Sequence, residues 1–208
     1  MEKFTSVSGV AAPLIEDDVN TDQIAPVGGG PRLNQNYADI LFLNRRKGPD
    51  GKPDVQFVFN KPHYARPMIL VTGRNFGCGS SRESAVWAMA AVGIRCIIAR
   101  SFADIYRENC LQNGIVPVTL SAADADALEA KVLTVDGAST FTADLENQRV
   151  ICPDGTFYRF DLPAADRMRL IEGLDDIGLS LKLAGEIAAW EKRAEVDTPW
   201  MQRAAGLR

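Results

Sequence analysis

The sequence is poor in the residues that most often hold metal ions, with one histidine, His63, and four cysteines, Cys78, Cys96, Cys110 and Cys152. No CxxC pair occurs, and His63 is distant in sequence from all four thiols. A zinc or iron–sulfur site draws several soft ligands together, usually with one short-spaced pair, so this spacing argues against a metal centre within the chain. The expectation is three buried thiols and one in a loop. Long apolar runs are missing too. The longest, Ser84 to Ile94, stops at Arg95, well short of the roughly 18 residues of a membrane span. Basic charge is not in excess: a formal net charge of −4 gives no field for nucleic acid or anionic lipid. The start, Met1-Glu2-Lys3, has no apolar signal core, so the expected location is the cytoplasm.

What is present is the composition of an ordinary globular protein. With 46% hydrophobic and 24% charged residues over 208 positions, the chain can build one good core. Residues 5–15 alternate and read as a first strand, followed by the acidic turn Glu16-Asp17-Asp18. Residues 26–36 read as a Gly/Pro loop, and a short helix is expected near Tyr37 to Asn44. Lys47 to Asp54 is a turn-rich insertion with a strand expected at Val55 to Phe59.

Met68 to Thr72, Ile94 to Ala99 and Ile115 to Leu120 are continuous apolar runs, as in strands buried on both faces. Between them lie two expected helices, one from about Ser81 to Val92 and one that Ser101 caps and Asn113-Gly114 ends. This order is the mark of a parallel α/β unit. Three short strands follow, at Thr140 to Leu145, Arg149 to Cys152 and Thr156 to Phe160. Pro163 opens a helix that Gly173 closes. A last helix is expected from about Asp176 to Ala194, with Ile177, Leu181, Ala184 and Ala188 on one stripe. The fold class is therefore α/β: a single domain over 1–208, with C-terminal helices at about 163–195 and a tail at 196–208.

Asn75 to Arg82, NFGCGSSR, lies between a buried strand and a helix, where α/β sheets usually bind ligands. Gly77 and Gly79 allow close backbone approach. Ser80 and Ser81 add hydroxyls, and Arg82 adds a planar fork matched to a carboxylate or phosphate. With the N–H groups of a helix start, these make a compact anion pocket. A structural reading stands beside it: Ser80 and Glu83 have the spacing of a capping box, which needs no ligand. A phosphate loop is the weaker alternative, since GxxxxGK[ST] is absent and no Lys follows Gly79. The glycines run GxxxGxG, which is not the dinucleotide fingerprint.

Three segments form a set in this order: Asn20-Thr21-Asp22-Gln23-Ile24, Asn75 to Ser84 (NFGCGSSRES) and Ser101 to Tyr106 (SFADIY). Together they closely resemble the 3-isopropylmalate dehydratase small-subunit family, which corresponds to the swivelling domain of the aconitase superfamily. The likeness runs from about Glu2 to the IEGLDDIGL stretch at Ile171 to Leu179. The resemblance implies a swivelling-type β/β/α fold and a hydro-lyase subunit in leucine biosynthesis. It implies a large partner subunit that bears a [4Fe–4S] cluster, no cofactor bound by this chain, and a small hydroxy-diacid substrate. It places the proton-abstracting base at Ser80, the substrate carboxylate on Ser81, Arg82 and Gly79, and Thr21 and Asp22 beside them as orienting residues. For Asp22 the local alternative is an Asx turn after the strand.

Two positions depart from the family pattern. Relatives read GSSREHA where this chain has Ser84, and the loop after NTDQI runs Ala25-Pro26-Val27 into three glycines where they carry IIP followed by Lys. That loop bears on the variable side of the substrate, so a hydro-lyase for another substituted malate, of the methylmalate or citraconate type, stands as an alternative. A non-enzymatic carboxylate-binding module is a third.

Overall fold

The residue chemistry of the parallel strands sets the layering. In β3 (Ile69–Thr72) and β4 (Cys96–Ala99), every side chain is buried. Because neighbouring residues point to opposite faces, Leu70 and Ile97 enter one core while Ile69, Val71, Cys96 and Ile98 enter the other. The computed structural model describes residues 1–26 and 36–202. They fall into two compact units, Met1–Gly173 and Leu174–Arg208.

The first unit has two four-stranded sheets. One is parallel, in the order β2-β3-β4-β5, with β2 at Ala11–Leu14 and β5 at Val116–Thr119. Both of its edge strands carry a proline, Pro13 and Pro117, as the missing N–H requires. The other sheet is antiparallel, β1-β6-β7-β8, built from Ser6–Gly9, Phe141–Asp144, Arg149–Ile151 and Phe157–Arg159.

Helices α3 (Ser84–Ala91) and α4 (Asp104–Gln112) connect the parallel strands. Ala85, Val86 and Met89 of α3 and Tyr106 and Cys110 of α4 join Leu70 and Ile97 in the first core. The second core joins Ile69, Val71, Cys96 and Ile98 to Phe141, Ala143 and Val150 of the antiparallel sheet. Leu128 and Val132 of α5 (Ala122–Val135) and Leu170 of α6 (Ala164–Glu172) complete it. This is the expected α/β class, a parallel unit with a second sheet. No helix among the described residues is long and apolar enough to cross a membrane.

Several expectations need correction. Residues 5–15 form two strands in different sheets. Gly9 has no Cβ to meet Met68, so the chain crosses at Val10, whose carbonyl accepts the N–H groups of Met68 and Ile69. Val55 to Phe59 is not a strand. Asp54 turns the chain by accepting the Gln56 N–H, and Val58–Asn60 forms a 3₁₀ turn that packs Phe57 and Phe59 onto Phe42. The helix expected at Tyr37 to Asn44 is the single turn α2, Tyr37–Ile40, which α1 (Thr21–Ile24) precedes in the chain. Ser101 does not cap α4; its Oγ accepts the Asn75 N–H at 2.8 Å, and the cap position is Ala103.

α5 carries no strong apolar stripe and was not foreseen. Ser121 caps it by accepting the Asp124 N–H. The glycine-rich part of the loop at 27–35 lies outside the described residues.

The second unit holds α7 (Asp176–Leu181), α8 (Ala184–Asp197) and α9 (Pro199–Gln202). The single helix expected there is thus broken at Lys182-Leu183. Asp175 caps α7 through the Gly178 N–H at 2.7 Å.

Arg100, at the end of β4, ties the parallel sheet to α5. Its Nε donates to Glu129 Oε1 at 2.8 Å and its Nη2 to Oε2 at 2.6 Å, with Asp126 as a third, exposed partner. Glu129 is 9% exposed, so this is a two-point ion pair largely shielded from water. Glu129→Ala is expected to destabilise the fold by about 2 kcal/mol, less than the full cost of stranding a buried charge because Asp126 still pairs. Urea denaturation measures it. A loss below about 0.5 kcal/mol would place the pair with ordinary surface salt bridges.

Candidate active site

Three chain segments meet at the carboxyl edge of the parallel sheet. The loop after β3 lies between the segments that follow β2 and β4. Single parallel bridges, Asn20 with Cys78 and Phe76 with Phe102, continue the sheet pairing past its regular end. Thr21 N–H donates to the Cys78 carbonyl at 2.9 Å, Gly77 N–H to the Val19 carbonyl at 2.8 Å, and Phe76 N–H to the Ser101 carbonyl at 3.0 Å. The three motifs picked out in the sequence are therefore in direct contact.

The local sequence explains how each arm is held. Asn20 and Gln23 form a reciprocal capping box. Asn20 Oδ1 accepts the Gln23 N–H at 2.8 Å, and Gln23 Oε1 accepts the Asn20 N–H at 2.9 Å. This starts α1 at Thr21, which is 1% exposed, with Asp22 projecting into solvent. Asp22 is thus a first-turn helix residue and not the centre of an Asx turn. The arm after β3 passes through left-handed backbone at Asn75, Gly77 and Gly79, with φ of 53°, 77° and 99°. Asn75 tolerates this, and its side chain donates to Asp18 Oδ1 at 2.7 Å.

The candidate residues then converge. Thr21 Oγ1 accepts the Ser80 N–H at 3.1 Å and lies 2.9 Å from Ser80 Oγ. Since that oxygen is already accepting, its own hydrogen is available to point at Ser80 Oγ. Arg82 Nε–H donates to the same oxygen at 2.8 Å, and Arg82 Nη2 donates to Asp22 Oδ1. One charged donor and one hydroxyl able to donate thus face the Ser80 oxygen, and Asp22 anchors the guanidinium that supplies the first. Gly79 and Ser81 are exposed next to them. The Ser81 carbonyl accepts from Asn109 Nδ2 at 3.4 Å, and its hydroxyl makes no hydrogen bond among the described residues.

The capping box expected between Ser80 and Glu83 does not form. α3 begins at Ser84, and Glu83 holds the cap position with αR backbone and no side-chain cap bond. Ser80 therefore does not cap a helix, and among the described residues its hydroxyl is held by Thr21 and Arg82. Asn109 and Asn113 also reach this arm, and neither was singled out from the sequence because no motif marks them. Asn20 and Gln23 could have been found from their N-x-x-Q spacing.

Cys96, Cys110 and Cys152 are buried and Cys78 is half-buried in the loop. Burial pushes the thiols of Cys96, Cys110 and Cys152 upward. No three His, Cys, Asp or Glu side chains among the described residues converge in a way that could hold a metal ion. These residues do not fit an iron–sulfur cluster.

Comparison with known proteins gives consistent matches. The aconitase C-terminal domain family matches residues 1–123, and the family of the C-terminal domain of 3-isopropylmalate dehydratase small subunits matches residues 176–204. The chain is 44% identical over 201 residues to a 3-isopropylmalate dehydratase small subunit of Mesorhizobium japonicum, covering 96% of this chain and 100% of that one. It is 44% identical over 202 residues to the same subunit of Dinoroseobacter shibae, covering 97% and 100%. A crystal structure of 3-isopropylmalate dehydratase from Methanocaldococcus jannaschii superposes with a TM-score of 0.59 at 25% identity, covering 89% of this chain and 99% of that one.

The two glycines of the arm separate conformation from contact. A Cβ at Gly77 would enter the Tyr106 ring, whereas at Gly79 its nearest neighbour is Thr21 Oγ1 at 3.4 Å. Both carry positive φ. Gly79→Ala is expected to cost about 1–2 kcal/mol, from backbone strain alone. Gly77→Ala should cost at least about 3 kcal/mol, since overpacking adds to strain. Equal losses on thermal melting would show that Tyr106 yields and does not buttress the loop.

Proposed function

Because the chain belongs to the family of 3-isopropylmalate dehydratase small subunits, we propose that it is the substrate-gripping half of a hydro-lyase. The reaction interconverts 2-isopropylmalate and 3-isopropylmalate by loss and return of water, a step of leucine biosynthesis. The chain acts as one swivelling domain against a large subunit. A [4Fe–4S] cluster on that subunit would supply Lewis acidity at the departing hydroxyl; the work assigned to this chain is proton transfer and carboxylate binding.

The observation that carries the reading is the convergence of the Arg82 guanidinium and the Thr21 hydroxyl on Ser80 Oγ. A serine hydroxyl is a poor base at neutral pH, and it serves as one only if its alkoxide is stabilised. Arg82 Nε–H and the Thr21 hydroxyl stand at 2.8 and 2.9 Å from that oxygen, each able to donate to it. The alkoxide of Ser80 takes the proton from the carbon alpha to a substrate carboxylate. The C–H electron pair forms the double bond as hydroxide leaves the neighbouring carbon. Hydroxide then adds to the carbon that lost the proton, and Ser80 gives its proton to the carbon that lost the hydroxyl, which completes the isomerisation. Arg82 and Ser81 hold the carboxylate beside the exposed Gly79 backbone, and Asp22 fixes the plane of the guanidinium.

The test is turnover of isopropylmalate by the chain assembled with its large subunit. Ser80→Ala is expected to lower kcat by about 10²–10⁴-fold with little change in KM, since a base acts in the transition state. Its melting temperature should hardly move, because the Ser80 N–H keeps its Thr21 acceptor. A rate within threefold of the parent would remove Ser80 from the chemistry. Arg82→Lys keeps the charge but loses the fork, and is expected to reduce kcat/KM by about 2–3 kcal/mol of transition-state stabilisation. Near-normal kcat/KM in that variant would show that a point charge suffices.

A further inference from the structure

The arm that carries Ser80 and Arg82 is nearly without backbone support. Gly79, Ser80, Ser81 and Arg82 make no backbone-to-backbone hydrogen bond with other segments among the described residues. On one side Thr21 Oγ1 holds the Ser80 N–H. On the other, the arm runs into the first turn of α3, and that turn is fastened to the end of α4 by one side-chain amide. Asn113 Nδ2 donates to Glu83 Oε1 at 2.7 Å and to the Asn109 carbonyl at 2.9 Å, while Asn113 Oδ1 accepts from Trp87 Nε1 at 3.1 Å. Glu83 and Trp87 are four apart and share a helix face. One amide therefore grips both levels of the first turn. Asn113 is itself fixed as the C-cap of α4, its N–H bonded to the Asn109 and Cys110 carbonyls. Asn109, one turn earlier, reaches the Ser81 carbonyl.

We infer that Asn113 is a positioning residue for Ser80 and Arg82, acting through Glu83 and the start of α3. The inference rests on the function proposed above. Glu83 sits next to Arg82 in the chain, so a shift at the start of α3 is passed to the Arg82 backbone. The contact from Arg82 Nε to Ser80 Oγ at 2.8 Å is held besides by Asp22 on the guanidinium and by Asn109 on the Ser81 carbonyl. The bond from Asn113 to Glu83 also explains why the Ser80–Glu83 capping box is absent, for the Glu83 carboxylate is turned toward α4. Glu83 works here as a hydrogen-bond acceptor and takes no part in proton transfer. Its acceptor atom matters and its charge does not.

The experiment is a double-mutant cycle on the chain assembled with its large subunit, reading kcat, KM and melting temperature for isopropylmalate turnover. Asn113→Ala and Glu83→Ala are each expected to lower kcat about 10- to 100-fold, the penalty of a misplacement near 1 Å, with KM within about threefold of the parent. The double variant should be no worse than Asn113→Ala alone, because the bond that Glu83→Ala removes is already gone in that variant. Glu83→Gln keeps an acceptor oxygen and should stay within about threefold of the parent. If Asn113→Ala does not fold, Glu83→Ala, which cuts the same bond from the other partner and leaves the Trp87 bond in place, carries the test with Glu83→Gln beside it.

A folded Asn113→Ala or Glu83→Ala enzyme with kcat within twofold of the parent overturns the inference. So does a Glu83→Gln enzyme as impaired as Glu83→Ala, since that would make the charge of Glu83 the active feature. Ser80→Ala run alongside separates the two levels. If it stays active, the proposed function fails; if it is inactive while Asn113→Ala is normal, only the positioning role fails.

Discussion

The hydroxyl of Thr21 is the constraint on which the site depends. Its oxygen is buried at the start of a four-residue helix, receives the Ser80 N–H and lies within hydrogen-bond reach of Ser80 Oγ. A helix of one turn has little stability of its own. The Asn20–Gln23 capping box supplies part of what it lacks, and the bridge from Asn20 to Cys78 fixes its place beside the loop after β3. These bonds cooperate because each restricts the groups that make the next.

The electrostatics of the site differ from those of a helix-end anion site. Ser80 lies four residues ahead of α3, beyond the first turn where a helix dipole acts strongly. The stabilising charge is instead a specific one, the Arg82 guanidinium, held in plane by Asp22 on one side and by Ser80 on the other. This arrangement needs a backbone that turns sharply three times within five residues, at Asn75, Gly77 and Gly79. Packing of Phe76 against Phe102 and Tyr106 steadies those turns from below. The loop is thus packed beneath, at Phe76 and Gly77, and exposed above, at Gly79, Ser80 and Ser81.

Much of the fold was legible because its signals are local. Ile69 to Thr72 and Cys96 to Ala99 are apolar at nearly every position, and only a strand covered on both faces calls for that. Gly173 ends α6 in left-handed backbone, as its place after the apolar pattern foretold. Less legible were features whose cause lies elsewhere in the chain. Residues 5–15 look like one strand, and nothing in their alternation reveals that Gly9 must clear Met68 and that two sheets claim the two halves. Phe57 and Phe59 have strand-like spacing, yet Phe42 draws them into an aromatic cluster at 5.6 and 5.0 Å. α5 is rich in alanine and buries only a narrow face, so its periodicity is weak.

By itself the sequence determined the class of the fold and the chemical character of the site. Residue types carry those directly: apolar runs make a buried sheet, glycines open a loop, and serines with an arginine favour an anion. Tertiary structure alone decided which groups act on one another. Ser80 and Glu83 have the spacing of a capping box, but the start of α3 at Ser84 and the amide of Asn113 take Glu83 elsewhere. Ser80 is left to Thr21, fifty-nine positions away in the chain, and to Arg82. A hydrogen bond depends on distance and angle within tenths of an ångström, and such precision arises only when the packed sheet brings distant segments to one edge.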